Sequence, residues 1–220
     1  MLGKRTLAAP FFFSLAALVF GQADTLQGSD RSGFGFFMGM DVSSPHATLR
    51  GAEDLPVELR DSVSTVSSRP RPGLRMGVSY ERMFGQRIGF RALAGLSFID
   101  SELEFEYAHG GSDQVSWETA RLDLHPQIIL FHRSANEGIY LAVGPSMAYD
   151  VDEASVLRRT TFGIAGAIGW RADICGLFSI APELSFAHSL NSSIADRGSF
   201  YAEVIDDLRI NTVSVRLCFQ

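Results

Sequence analysis

Residues 88–98 read IGFRALAGLSF and residues 120–130 read ARLDLHPQIIL. In the first stretch Ile88, Phe90, Ala92, Ala94, Leu96 and Phe98 fill every second place, and Arg91 stands in the other phase. In the second, Ala120, Leu122, Leu124, Pro126, Ile128 and Leu130 alternate with Arg121, Asp123, His125 and Gln127. A period of two is the strand period, so each stretch shows one apolar and one polar face.

The same alternation recurs along the chain. Leu74, Met76, Val78 and Tyr80 form another such run, and eight strands are predicted at roughly 33–42, 73–82, 87–99, 117–131, 139–150, 160–173, 177–188 and 208–219. Several exceed the 9–11 residues that cross a bilayer at a tilt. The connections alternate too. Residues 43–72, 100–116, 151–159 and 189–207 read as longer loops, and 83–86, 132–138 and 174–176 as shorter turns. An up-and-down outer-membrane barrel has long external loops and short periplasmic turns, with both termini periplasmic.

The two faces differ in chemistry. The apolar phase covers 42 positions and none is charged, where the chain average of 20% would place about eight. Lipid excludes charge in this way, because an Arg at the bilayer midplane costs roughly 2–4 kcal/mol. The opposite phase carries Arg75, Glu81, Arg91, Arg121, Asp123, His125, Gln127, Arg171, Asp173, Glu183 and Arg216. A soluble sandwich would have to bury one of these faces, and so many buried ions are costly. The reading is an all-β, eight-stranded antiparallel transmembrane barrel, apolar outside, with Arg–carboxylate pairs filling its interior. Small inward residues (Gly77, Gly89, Gly95, Ala142, Gly144, Gly163, Ala165, Gly169) are expected to leave room for the long side chains.

In front of the strands, Lys4 and Arg5 precede an apolar run from Leu7 to Phe20 and then Gly21, Gln22 and Ala23. That is the pattern of a cleaved secretory signal. The domain expectation is a signal peptide over 1–23, a short periplasmic segment over 24–32 and the barrel over 33–220. The apolar run is too short for a membrane anchor. Cleavage removes two cations and takes the formal charge from −6 to −8. An acidic chain without a basic, aromatic-interleaved stripe does not suit nucleic acid.

Aromatic residues should gather at the interfaces. Phe34, Tyr80, Trp170, Phe178 and Phe219 fall at the predicted periplasmic ends, and Phe98, Trp117, Tyr149, Phe162 and Phe186 at the outer ends. Beyond Phe98 the apolar phase turns acidic at Glu102, Glu104 and Glu106, as if the strand leaves the bilayer there. Pro126, Pro145 and Pro182 run against the reading, because a closed barrel has no free edge to hold a residue without an N–H.

The segments 122–131 (LDLHPQIILF), 140–149 (YLAVGPSMAY), 162–170 (FGIAGAIGW) and 180–186 (IAPELSF) resemble the PorT-like outer-membrane β-barrel proteins. These are small barrels similar in architecture to OmpA and OmpX. The resemblance spans about 33–219, rests on hydropathy with proline and glycine placement, and implies an eight-stranded barrel with no defined activity. Such barrels end on an aromatic that the outer-membrane assembly machinery recognises. Here Phe219 is followed by Gln220.

Few residues suggest chemistry. Cys175 in the last tight turn and Cys218 near the end of the last strand share the periplasmic rim, where disulfides are allowed. They form either a bond or two free thiols with Cys218 facing the lumen. His188 with Ser189, Ser192 and Ser193 suggests a lipid A-modifying hydrolase, but in the His-x-Ser-Asn order of the lipid A deacylase barrels Leu190 holds the serine place. Glu102, Glu104 and Glu106, near His109, sit on one face without a metal-loop pattern and read as a solvated strand extension. Gly163, Gly166 and Gly169 lack dinucleotide spacing and fit a barrel wall better. The Arg69-Pro70-Arg71-Pro72 run reads as a loop end. No cofactor or metal is expected. The expected partners are outer-membrane lipid, lipopolysaccharide and the assembly machinery, with the protein a monomer. The expected role is structural or adhesive, through the external loops. A narrow channel, the hydrolase and a soluble lipocalin-like binder are the alternatives.

Overall fold

The computed structural model describes residues 32–51, 63–135, 137–151, 158–194 and 203–220, with the Trp117 side chain excepted. The expected signal peptide, nearly all of the 24–32 segment and parts of the external connections lie outside the described residues. The strands are β1 (Ser32–Leu49), β2 (Val63–Arg69), β3 (Arg71–Met83), β4 (Ile88–Tyr107), β5 (Ser112–Phe131), β6 (Gly138–Asp150), β7 (Thr160–Ile174), β8 (Phe178–Ser189) and β9 (Ile205–Phe219).

All pairings are antiparallel between chain neighbours, and the β1–β9 ladder closes the ring from Phe36↔Phe219 to Leu49↔Ile205. Where β3 pairs with β4 from Leu74↔Phe98 inward, β2 continues on β4 from Arg69↔Glu102 outward. Strands β2 and β3 are thus one barrel strand broken at Pro70, and the barrel has eight strands as the sequence predicts. The turns fall near 84–87, 132–137 and 175–177, with Gly85, Gly138 and Gly176 at positive φ.

The outward phase is apolar and exposed: Met38, Met40, Leu74, Leu122, Leu124, Ile128, Leu141, Val143, Ile164, Ile168, Leu184 and Val215 each show 40% or more of their surface. Such a continuous apolar belt is far beyond what a soluble monomer leaves uncovered. Apart from the extension β2, which pairs with β4 alone, each strand has a partner on both sides, so the ring satisfies nearly all of its backbone internally, as a lipid-spanning structure must. Exposed Phe34, Trp170 and Phe178 ring one end of the belt, and Phe98, Tyr149, Phe162 and Phe186 the other. Across the closing seam Phe36 stacks on Phe219 at 4.4 Å between ring centroids, and Gln220 exchanges backbone hydrogen bonds with Ser179.

The prolines have a simple placement. The β5–β6 ladder is recorded at Leu124↔Met147 and resumes at Ile128↔Val143, which puts Pro126 opposite Pro145 in the gap. Their other neighbours, Ala92 and Ile164, pair normally. Two residues that lack donors thus meet at one seam and leave one interruption instead of two. Pro182 lies in a similar gap of the β7–β8 ladder, opposite Trp170.

The regions read as loops 43–72 and 100–116 are largely strand, which corrects that expectation. The β4–β5 hairpin pairs without interruption from Ile88↔Leu130 to Glu106↔Ser112. The physical reason is an inversion of the pattern at the outer membrane surface. Inside the bilayer belt the inward phase is polar and the outward phase apolar. Above it, inward Leu103, Phe105, Ile205, Leu208 and Ile210 form an apolar cluster with Ile194, while outward Asp100, Glu104 and Glu106 meet water. The alternation persists, but its sense reverses where the solvent changes from oil to water.

Candidate functional site: the filled lumen

The pleat of each strand decides which side chains enter the barrel, and eight strands leave an interior that side chains fill. Among the described residues five arginines (Arg75, Arg91, Arg121, Arg171, Arg216) and five carboxylates (Asp41, Glu81, Asp123, Asp150, Glu183) are buried on the inward phase. The interior charges balance, and most stand in direct pairs.

Three clusters stack along the axis. Towards the outer side, Arg75 Nε lies 2.9 Å from Asp41 Oδ2 and its Nη2 3.1 Å from Asp123 Oδ2. Ser97 donates to the same Asp123 oxygen at 2.6 Å. Arg121 stands in register with Asp150 across β5–β6 and donates to Thr161 Oγ1 at 2.5 Å. In the middle, Glu183 accepts from Arg91 Nη1 at 2.6 Å, from Tyr140 Oη–H at 2.9 Å and from Arg216 Nε. Arg91 is fixed on its other side by Gln127 Oε1, at 2.7 and 3.2 Å. Towards the mouth at the short-turn end, Arg171 forks onto both oxygens of Glu81 at 2.7 Å and also donates to the Ala135 carbonyl at 3.0 Å.

Aromatic rings separate these ions. Arg171 sits over Phe131 and Tyr140, Arg91 over Tyr140, and Arg216 over Phe37. Phe37, Leu93, Ile129, Phe131 and Tyr140 make an apolar cluster inside the lower lumen. This refines the expectation for the small residues. A Cβ at Gly169 would lie 2.4 Å from the Tyr140 ring, and one at Gly77 or Gly95 would lie 2.8 Å from Phe37 Cζ. Gly169 makes room for a ring, while Gly77 and Gly95 make room for neighbouring backbone as well as for Phe37.

Of the nine Arg, Asp and Glu residues predicted for the lumen, eight are buried inside: Arg75, Glu81, Arg91, Arg121, Asp123, Arg171, Glu183 and Arg216, and so are His125 and Gln127. Asp173 is not. It is exposed at the end of β7 and accepts the Gly176 backbone N–H at 2.9 Å, closing the turn. Its phase is inward, but the strand has already left the barrel. Sequence reasoning missed Asp41, Asp150 and Tyr140. Asp41 and Asp150 follow the same two-residue phase as the rest, and the Tyr140 hydroxyl is the polar tip of a ring that the same rule places inside.

The two cysteines are free thiols. Cys175 is exposed at φ 56° in the turn, and Cys218 is buried in the lumen. Inward orientation of Cys218 takes it away from the rim, so the bond is not formed. At the strand end where a hydrolase is only an alternative reading, His188 Nδ1 is 2.6 Å from Asn211 Oδ1. Ser189 Oγ accepts the Ile210 N–H at 2.8 Å, and Ser192 Oγ accepts the Leu208 N–H at 3.2 Å. These contacts tie the serines to the backbone of β9. Glu102 and Glu104 pair with Arg69 and Arg71, and Thr65 donates to Glu106 at 2.8 Å, so the acidic row belongs to a cross-strand ladder. Hydrogen bonding to Glu102 raises the Arg71 guanidinium above its ordinary value.

The space left inside is small. A chamber of about 40 Å³ lies under the outer cluster, bordered by Arg121, His125, Thr161 and His188. A wider one of about 250 Å³ opens at the short-turn end beside Glu81 and Arg171. Between Phe37, Arg75, Leu93, Asp123 and Arg216 a gap has no room for a water molecule.

No protein-family model matches the chain, so none supports the PorT-like resemblance, and no curated protein matches it. Among solved structures it is similar to the outer membrane protein OprG from Pseudomonas aeruginosa, at 11% identity and TM-score 0.48, over 87% of this chain and 95% of that one. It is also similar to Ail, the attachment invasion locus protein of Yersinia pestis, at 11% identity and TM-score 0.39, over 84% and 96%. A third is the outer membrane protein AlkL, whose structure was determined in DMPC lipid bilayers, at 12% identity and TM-score 0.40, over 90% and 93%. Identities and scores this low leave the case for the barrel to its own closed ring of ladders.

Proposed function

We propose that this protein is a closed outer-membrane barrel of structural or surface-binding role, presented to the exterior by the strand extensions above the bilayer. The observation that carries the reading is the double closure of the lumen. The ion and aromatic clusters fill the span, and the apolar cluster of Leu103, Phe105, Ile194, Ile205, Leu208 and Ile210 covers the outer end. A continuous aqueous path would have to break both. Above the bilayer the extensions of β1, β2, β4, β5 and β9 are held by cross-strand pairs around that apolar cluster. Strand pairing holds these extensions together, which suits recognition with little ordering cost.

The apolar belt and its two aromatic girdles support an anchor in outer-membrane lipid. The serine contacts at the β8 end favour binding over hydrolysis. Planar-bilayer recordings test the closed lumen. The expected result is no steady conductance step under moderate voltage, and large, stable steps would replace the reading with a channel.

A further inference from the structure

The periplasmic ends of β3, β4 and β5 carry a feature that the closed-barrel reading does not use. On the lipid-facing phase of β3, Tyr80 is followed by Arg82 and Phe84. Arg82 is exposed, and its guanidinium lies 5.8 Å from the centroid of the exposed Phe84 ring. In register, Arg82 stands level with Phe90 on β4 and Ile128 on β5. That is one rung nearer the bilayer than the exposed apolar pair Ile88 and Leu130. A long cationic side chain at such a level lays its stem on apolar surface and brings its head to the phosphates.

Two neighbouring turns add to it. The Phe131 N–H donates to the Arg87 carbonyl at 2.8 Å and the Ala135 N–H to the Gln86 carbonyl at 2.9 Å, so the β3–β4 and β5–β6 turns are locked side by side. This brings exposed Arg87 next to exposed His132 and Arg133. Across residues 82–88 and 131–138 there are three arginines and one histidine against one carboxylate, Glu137. The opposite part of the rim, residues 172–182, has Asp173 and no cation. Among the described residues the exposed cations of the rim therefore lie on the β3–β5 side, beside the aromatic residues Phe34, Tyr80 and Phe84.

We propose that the β3–β5 side of the periplasmic rim binds the phosphate headgroup of an anionic phospholipid of the inner leaflet, with Arg82, Arg87 and Arg133 as its cations. Arg82 and Phe84 meet the lipid at the boundary of acyl chain and headgroup, and Arg87 with Arg133 meets the charge that an anionic headgroup adds over a zwitterionic one. The inference rests on the membrane orientation of the proposed outer-membrane barrel.

The test reconstitutes the mature barrel in phosphatidylcholine vesicles holding trace spin-labelled phosphatidylglycerol or spin-labelled phosphatidylcholine. The motionally restricted fraction of each probe gives a relative association constant. One cation near an anionic lipid contributes up to about a fivefold preference at low salt. The expected result is a severalfold preference for phosphatidylglycerol that falls as salt is raised. Arg82→Gln/Arg87→Gln/Arg133→Gln should bring the ratio close to one, whereas Arg69→Gln/Arg209→Gln, at the outer end, should leave it unchanged. A wild-type ratio of one overturns the proposal, as does a preference that survives in the triple variant. Heat-modifiable gel migration reports folding separately. If the triple variant does not fold, the exposed-turn variant Arg87→Gln/Arg133→Gln decides by the same ratio. If the wild-type protein itself does not insert, the membrane reading falls together with the proposal.

Discussion

Glu183→Gln probes the middle of the lumen. Glu183 is the one carboxylate that Arg91, Arg216 and Tyr140 share, and the two arginines are 2% and 3% exposed. Removing its charge leaves two guanidinium groups close together away from water. Breaking a buried ion pair from one side costs about 3–5 kcal/mol, because the orphaned charge stays desolvated. Gln keeps an oxygen acceptor, which points to the lower end of that range. At a urea slope of about 2 kcal/mol per molar, a loss of about 3 kcal/mol moves the unfolding midpoint down by about 1.5 M. Glu104→Gln is the reference. Its partner Arg69 is 57% exposed, and an exposed pair contributes about 0–1 kcal/mol. The assay is urea titration of the barrel in vesicles, read by heat-modifiable migration. Adding Arg216→Met to Glu183→Gln should restore part of the loss, because it removes one of the unpaired cations. Equal, small shifts for Glu183→Gln and Glu104→Gln would refute the ion-filled lumen.

Gly169→Ala should destabilise the barrel by about 1–3 kcal/mol through overpacking against the Tyr140 ring, and the same substitution should cost much less when made in a Tyr140→Leu background; the urea midpoint measures both. In the folded barrel a maleimide should modify Cys175 quickly and leave Cys218 untouched until denaturant is added, with mass spectrometry counting the adducts.

The barrel is legible in the sequence because lipid imposes one rule on every strand: between its two interfacial ends, no charge on the outward phase. Given that rule, the inward phase of Arg75, Arg91, Arg121, Arg171, Glu183 and Arg216 can be read residue by residue. Asp41 obeys the same rule but is hard to see beside Phe37 and the glycines of β1. Asp173 escapes the rule because alternation says nothing about where a strand ends, and an Asp that closes a turn looks like one more inward ion. The external strands read as loops because the rule changes sign at the membrane surface. Glu102, Glu104 and Glu106 mark the reversal, yet Leu103 and Phe105 between them show that the strand goes on. Which ions pair is beyond the sequence. Arg91 meets Glu183 through the curvature of the ring, across 92 residues of chain. The prolines become intelligible only in register, where Pro126 faces Pro145.

The orientation of the faces is tested most directly with single nitroxide labels at Leu124, Val143, Ile168 and Val215 in a Cys175→Ser/Cys218→Ser background. Each label should collide mainly with oxygen dissolved in the bilayer and hardly with a water-soluble nickel chelate. Labels at these four positions that collide freely with the nickel chelate and only weakly with oxygen would contradict the account.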